Sequence, residues 1–461
     1  MKNTIMLLIF AALLMLSCKN ENTASITTVS DLEVYTDSLF QTSIDSAQIA
    51  GGTILVFQKE QMLLNKSYGY ASLELGTPMP RNGIFDIGSV TKQFTAAAIL
   101  KLVEDGKLSL DADFTKYLDF DTKGRKITIA QLLDHTSGIG QAPDGKDEFT
   151  QMTFDEFPHK LTVQLAESKE FLHEPGEALI YNNVAFVFLG LIIEKVTGQT
   201  YEDYLEVAFF EPLKMNSTSF GSNTKVVKNK VNGYNYHPEG LQQMTYLNYF
   251  IPYSAGSLES STEDLLTWTQ ALHSGKVLSE SMYQSMITPG QLNDGTPVSY
   301  AKALANFSNY GHKEISHGGA IAGFSSFVQY YPDDDLYIIT LINTIGPKKT
   351  GRFFGYEIAW KLLDKKEYVQ GQLDFDANAI QGTYTGQTRG GKDSDGKQSI
   401  EIKSIKNGIT RQVKGEEKID TLKVYVGNNT WMDGNDKITI KNNEYRADKI
   451  YNYYILKKEI E

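Results

Sequence analysis

The 461 residues are 41% hydrophobic and 22% charged, a composition that lets the chain bury a large core plus one further domain and excludes a disordered chain. The formal net charge of -12, with Lys and Arg scattered, excludes a nucleic-acid partner, because neutralising phosphates takes concentrated basic residues. One cysteine, Cys18, excludes an internal disulfide.

The chain starts basic at Lys2 and then runs apolar from Ile5 to Leu16, ending in Ser17 and Cys18. That run is too short for a spanning helix and fits the apolar part of a secretory signal, so 1–17 is expected to be a signal peptide. The cysteine closing it resembles a lipobox, although Met15 and Leu16 stand where Leu and a small residue are usual. The resemblance implies a lipid on Cys18, a polar tether over 18–30, and an exported protein anchored to a membrane of the cell envelope. The alternative is an ordinary cleaved signal with an incidental cysteine.

Beyond the tether, helical spacing over Asp31 to Ser46 (Leu32, Val34, Tyr35, Leu39, Ile44) precedes two strand-like runs, Thr53 to Phe57 and Met62 to Tyr68. Helical patterns follow from Gln93 to Val103, stopped by Gly106, and from Val184 to Val196, stopped by Gly198. Ser325 to Tyr331 and Leu336 to Asn343 predict a hairpin around Pro332-Asp333-Asp334-Asp335, and a last helix is expected over Arg352 to Leu363. This order predicts an α+β fold: an antiparallel sheet whose edges come from opposite ends of residues 31–368, with a mostly helical middle. From 378 to 461, alternating apolar residues and turn pairs such as Asn407-Gly408 and Asp433-Gly434 predict a small antiparallel β domain. Nothing in that domain suggests chemistry.

Chemistry is sought in the large domain, where Ser89 and Lys92 form Ser-x-x-Lys. The same spacing recurs at Ser222/Lys225, Ser299/Lys302 and Ser394/Lys397, so context has to separate them. Ser89 alone follows Phe85-Asp86-Ile87-Gly88 and opens a helix, with Val90, Phe94, Ala97 and Ala98 among its apolar positions. Residues i and i+3 share a helix face, which puts the amine within reach of the hydroxyl, and the helix N-terminus favours an oxyanion there. Lysine acts as a base only when neutral, so its pKa must fall well below the ordinary ~10.4.

Tyr181-Asn182-Asn183 at the start of the second long helix can place a phenol and an amide in one cleft, as a proton relay and a partner for a substrate carbonyl. Tyr246 and Asn248 share that spacing without a following helix. His317-Gly318-Gly319-Ala320 opens the closing hairpin; its glycines let a substrate backbone approach, and the Ala320 N–H is expected as an oxyanion donor. His317 with His312 lacks a third ligand at recognisable spacing, so no metal is expected, and no other cofactor is called for.

Four runs, FDIGSVTKQFT from Phe85, QLLDHTSGI from Gln131, PGEALIYNNVAFVFLG from Pro175 and HGGAIAGFSSFVQYYP from His317, are similar to the serine β-lactamase-related family, and to its class C branch. The branch also holds D-aminopeptidases, DD-peptidases and carboxylesterases. The resemblance spans about residues 31 to 365. It implies a sheet flanked by helices beside a helical subdomain, with Ser89 as nucleophile, Lys92 as its base, Tyr181 as proton relay, Asn183 as a substrate contact and His317-Gly318-Gly319 in the place of Lys-Thr-Gly. Lys349-Thr350-Gly351 matches that tripeptide literally but falls after the hairpin. With His at 317, the fixed positive charge that would hold a β-lactam carboxylate is lost at neutral pH. The expected function is therefore hydrolysis of a small-molecule or short-peptide amide or ester through an acyl-enzyme. The alternatives are action on peptidoglycan stems or β-lactams, and a catalytically silent binding protein on the same fold.

Overall fold

The computed structural model describes residues 28–141, 159–244, 247–346, 348–388, 397–405, 408–422 and 424–459. The expected signal segment, Cys18 and most of the tether lie outside them, as do Tyr246, Ser394 and Asn407.

Helix α1 (Val29–Asp45) starts where the Thr28 hydroxyl accepts the Asp31 N–H, and buries Leu32, Thr36, Phe40 and Ser43 along one stripe. Strands β1 (Gly51–Gln58) and β2 (Gln61–Ser72) are joined through Lys59 and Glu60, both at positive φ, as a tight hairpin turn requires. A short β3 (Thr77–Pro78) completes this edge.

Helix α2 (Thr91–Glu104) is buried on nearly every side, as expected of a helix at the centre of a large core rather than on its surface. Strand β4 (Leu179–Ile180) leads into α3 (Asn183–Thr197), whose start is capped by the Asn182 side chain on the Ala185 N–H and whose end is Gly198 in the left-handed region. Strands β5 (Ala305–Asn309), β6 (His312–Ile321), β7 (Phe324–Tyr331) and β8 (Leu336–Ile342) precede α4 (Gly351–Leu362).

Among the described residues a seven-stranded sheet runs β5-β6-β7-β8-β1-β2-β3, and all the pairings along it are antiparallel. Its seam is β1 on β8, from Gly52 opposite Ile342 to Gln58 opposite Leu336, so the two ends of the large domain meet in mid-sheet while the edges come from opposite ends, as expected. On one face, α1 and α4 enclose Ile54, Val56, Ile338 and Ile342, with Phe40 stacked on Phe354 at 4.2 Å and on Tyr68 at 4.3 Å. The other face joins the helical middle through Leu55, Ile339 and Leu341, and there Phe94 of α2 stacks on Trp268 at 4.0 Å.

The C-terminal strands, from Gly382–Gln387 to β9 (Glu444–Lys449) and β10 (Asn452–Lys458), curl into a nearly closed, barrel-like sheet around Tyr384, Trp431, Tyr445 and Leu456. This sheet is not separate from the large domain. Its last strand, β10, takes β4 as a neighbour, with Asn452 opposite Ile180 and Tyr453 opposite Leu179. A cluster of Leu179, Tyr181, Leu292, Val298, Tyr300, Ala305, Ile450 and Tyr453 seals the junction.

Phe40 touches the sheet and α4 at once, so Phe40→Ala is expected to lower stability by about 3–5 kcal/mol through lost burial plus a cavity, read by chemical denaturation.

Candidate active site

The turn that carries Ser89 is set by what lies below it. Phe85-Asp86 pairs with Leu258–Ser260, and Lys230 is held between the buried Asp86 and Glu259 carboxylates with the Tyr249 hydroxyl beside it. Burial opposes the charge on Lys230, but the two carboxylates outweigh it and hold the ammonium pKa above its ordinary value. Spread over residues 86 to 259, this cluster has no sequence signature. Gly88 then takes φ +52°, and Gly88–Val90 makes one 3₁₀ turn that runs directly into α2. Ser89 is half-buried at the head of that helix.

Lys92, one turn on, is fully buried. Its Nζ donates to Ser89 Oγ at 3.3 Å, to Asn183 Oδ1 at 2.9 Å and to the Ala255 carbonyl at 2.7 Å. The Tyr181 ring centroid lies 4.9 Å from the same nitrogen and that of Phe186 5.4 Å. Sequence reasoning found Ser89, Lys92, Tyr181 and Asn183, and the structure brings all four together. It missed Ala255, which contributes a main-chain atom and so leaves no trace in side-chain identity. The loop before it is tied down by Thr95, whose hydroxyl donates to the Ser254 carbonyl at 2.6 Å.

Tyr181 follows β4 directly, and its environment explains the run around His135. His135 sits at positive φ, its carbonyl accepts the Ile180 N–H at 3.0 Å, and its Nδ1 accepts the Asn182 N–H at 3.1 Å. The backbone on either side of Tyr181 is thus held from one residue, whose ring lies 4.3 Å from the phenol ring.

The third element approaches from the sheet. Gly88 and Gly319 permit a main-chain contact that any side chain would prevent: a Cβ on Gly319 would lie 2.0 Å from the Ile87 carbonyl oxygen, and one on Gly88 within 3.1–3.2 Å of Ala320 N, C and O. Ser326 Oγ donates at 2.7 Å to that Ile87 carbonyl, which also accepts the Val90 N–H at 3.3 Å. Among the described residues no strand pairs with β6 beyond Ser316 on the β5 side. Gly318 directs its N–H to this open edge, and Ala320, two residues on and exposed, directs its own the same way by the period of a strand.

His317 is not a surface histidine. It is 1% exposed, its Nδ1 meets the Gly318 carbonyl at 2.7 Å and its Nε2 the Tyr300 hydroxyl at 3.0 Å. Since the carbonyl can only accept, Nδ1 carries the proton and Nε2 accepts from Tyr300. Burial, and then the charge on Lys92, push the imidazole down to about 3, so it stays neutral far below the pH at which an exposed histidine charges. His312 is engaged elsewhere, with Asp334 and the Asp364 carbonyl. Among the described residues no group of three or more His, Cys, Asp and Glu side chains is placed to hold a metal ion.

Two expectations need correction. The glycines of β6 were expected to leave the strand edge to a substrate backbone, but the Gly318 N–H already donates to the Tyr451 hydroxyl at 3.0 Å. Tyr451 comes from the turn between β9 and β10, so the domain in which the sequence suggested no chemistry supplies a wall of this cleft. No alternation or turn pair could have singled out Tyr451, because its place depends on the β4–β10 pairing.

The other candidates disperse. The Ser222 hydroxyl caps its own turn, accepting the Thr224 and Lys225 N–H groups, while Lys225 pairs with Glu202. Lys302 faces Asp134. Lys349-Thr350-Gly351 serves as a helix start, the Thr350 hydroxyl accepting the Phe353 N–H at 3.2 Å.

With the site in view, the chain can be placed. A family model for Beta-lactamase matches residues 36–356, and the chain belongs to that family. Protein flp of Staphylococcus aureus (strain MRSA252) is 29% identical over 326 residues, 68% of this chain and 63% of that protein, so the chain spans less than two thirds of that relative's length. Penicillin-binding protein 4* of Bacillus subtilis (strain 168) is 30% identical over 329 residues, covering 66% of this chain and 70% of the relative. Among solved structures, the octameric penicillin-binding protein homologue from Pyrococcus abyssi aligns with a TM-score of 0.65 at 25% identity, covering 92% of this chain and 100% of that one. A D-stereospecific amidohydrolase from Streptomyces sp. aligns with a TM-score of 0.60 at 27% identity over 68% of this chain and 94% of its own.

The burial of His317 has a direct consequence for pH. The unfolded chain protonates this imidazole near its ordinary ~6.5, whereas the folded one resists protonation until about 3, so its contribution to stability is complete above the unfolded value and is lost as pH falls from there. In the ¹³C-labelled folded protein the His317 ring resonances should therefore stay constant from pH 8 to pH 5, and a midpoint near pH 6.5 would show an open, solvated ring.

Proposed function

We propose that the chain is a serine hydrolase that cleaves an amide or ester through an acyl-enzyme on Ser89. The carrying observation is the set of three contacts at Lys92 Nζ. A carbonyl and the amide oxygen assigned to Asn183 can only accept, so they take two N–H groups in any protonation state. In the neutral amine this leaves the lone pair for the third contact, the Ser89 hydroxyl, which then donates. Fixed acceptors thus orient the base at its nucleophile with no rearrangement.

In this reading Ser89 Oγ bonds to the substrate carbonyl carbon as its proton passes to Lys92, and the oxyanion forms between the Ser89 and Ala320 N–H groups at the head of α2. Collapse breaks the bond to the alcohol or amine, which takes a proton from the Tyr181 phenol; the phenol regains one from Lys92 beside it. Water then attacks the ester on Ser89, releasing the acid. The neutral His317 supplies no charge to a substrate carboxylate, which favours peptidase or esterase chemistry over β-lactam chemistry. The relatives named as penicillin-binding proteins and amidohydrolases support the same overall reaction type.

Treatment of the purified protein with a fluorophosphonate, and separately with a fluorescent penicillin, tests this. The fluorophosphonate adduct should map to the Ser89 peptide and vanish in Ser89→Ala, with hydrolysis falling by at least about 10⁴-fold. Durable penicillin labelling would shift the substrate towards peptidoglycan stems, and no adduct from either probe would remove Ser89 as nucleophile.

We infer from the apolar run and Cys18 that the enzyme works tethered to a membrane by a lipid. Expressed with its leader, the wild type should sediment with membranes and incorporate labelled palmitate; Cys18→Ala should lose both, and a soluble wild type would refute the anchor.

A further inference from the structure

The hairpin turn between β9 and β10 is fixed from two directions. Next to Tyr451, Asn452 pairs with Ile180 and its Oδ1 accepts the Tyr181 N–H at 3.1 Å. On the sheet side the Tyr451 hydroxyl accepts the Gly318 N–H at 3.0 Å. Between these points the Tyr451 ring lies 5.1 Å from His317, 5.7 Å from Tyr300 and 5.9 Å from Tyr181, centroid to centroid. The Arg352 guanidinium stands 5.0 Å from the Tyr451 ring and 4.9 Å from that of Phe327, so the cation at the head of α4 is held between two aromatic faces.

These contacts bear on one half of the cleft. If Tyr181 protonates the departing atom, the leaving group must extend from Ser89 towards Tyr181 and Gly318, while the acyl group extends the other way, past Ala320. Among the described residues, polar features on the leaving-group side that could hold a long or charged group include the Gly318 N–H and Arg352, whose Nη2 would be 3.5 Å from a Cβ on Gly318. Tyr451 occupies the first and covers the second. Burial keeps its phenol protonated, so it stays a neutral cap.

We infer that Tyr451 closes the leaving-group side of the cleft, so that the enzyme takes amides or esters whose leaving group is compact and uncharged and turns away those ending in a carboxylate. The C-terminal β domain is then a specificity element, and its position is set by β4 pairing with β10. The inference rests on the Ser89 reading above and adds the class of leaving group to it.

Two phosphonates that share one phosphonyl group test it, one with fluoride and one with 4-carboxyphenoxide as leaving group, on the full chain. Both give the same adduct: Ser89 Oγ bonds to phosphorus, its proton is lost, and fluoride or the phenoxide departs. Each labelling rate is divided by that probe's rate with hydroxide. Wild type should take the carboxyphenoxide at least about tenfold more slowly than the fluoride, and Tyr451→Gly should narrow that gap by at least about tenfold. Tyr451→Leu keeps apolar bulk in the domain junction while uncovering the Gly318 N–H, and should narrow it by at least about threefold if the glycine variant does not fold. Equal normalised rates on wild type, or an unchanged gap in a variant that still labels with the fluoride, would overturn the inference and leave Ser89 standing. Absence of labelling by the fluorophosphonate on wild type would instead remove the nucleophile and the inference with it.

Discussion

The site exists because two pieces of backbone touch. Gly319 on β6 meets the Ile87 carbonyl, Gly88 meets the main chain of Ala320, and the Ile87 carbonyl accepts both the Val90 N–H and the Ser326 hydroxyl, so the joint is tied to the sheet by a side chain as well as by contact. The Ser326 hydrogen bond uses the carbonyl's second lone pair and links the strand bearing it to the Ser89 turn. This joint fastens the sheet to the helical half and sets the Ala320 N–H next to the turn bearing Ser89. A methyl group on Gly319 would have to push the halves apart, and Ser89 would then face a strand edge out of reach.

Around that joint, charge is arranged by exclusion of water. Lys92 is buried with two oxygens that can only accept, beside two aromatic rings. His317, on the facing strand, resists protonation chiefly because it is buried, and neighbouring Lys92 and Arg352 add to that whenever they are charged. Burial thus disfavours a charge on this histidine. On the far side of the Ser89 turn the rule is reversed: Lys230 is retained as a cation by Asp86 and Glu259, which pin Phe85-Asp86 to its partner strand and hold the turn from below.

The C-terminal domain completes the cleft rather than decorating it. A two-residue strand, β4, is too short to hold a sheet by itself, yet it extends the C-terminal sheet and leads directly into Tyr181. The backbone of the proposed relay is therefore shared between the domains: His135 grips it from the large domain and Asn452 from the small one. Loss of registry between β4 and β10 would move Tyr181 and Tyr451 together.

How much of this could be read from residues alone follows from how far each interaction reaches. The helices α1 and α3, the β1–β2 hairpin and the turn at Pro332 depend on spacing, caps and turn chemistry within a few residues, and they lie where the sequence placed them. Ser89 and Lys92 are one helical turn apart, so their meeting was also decided locally, and the four runs carried enough of the family pattern to name its fold. That α2 is buried on nearly every side, that His317 is sealed in and neutral, and that Lys230 lies between two distant carboxylates depend on what packs against them. The same holds for Ala255, which acts through its backbone, and for Tyr451, which reaches Gly318 only because β10 adds to β4. Periodicity and motif spacing act over one turn or one strand, whereas desolvation and strand pairing act between segments hundreds of residues apart. The sequence by itself therefore determined the fold family and the meeting of Ser89 with Lys92 one helical turn on, and only the tertiary structure decided the burial and electrostatics around them and how the C-terminal domain packs against them.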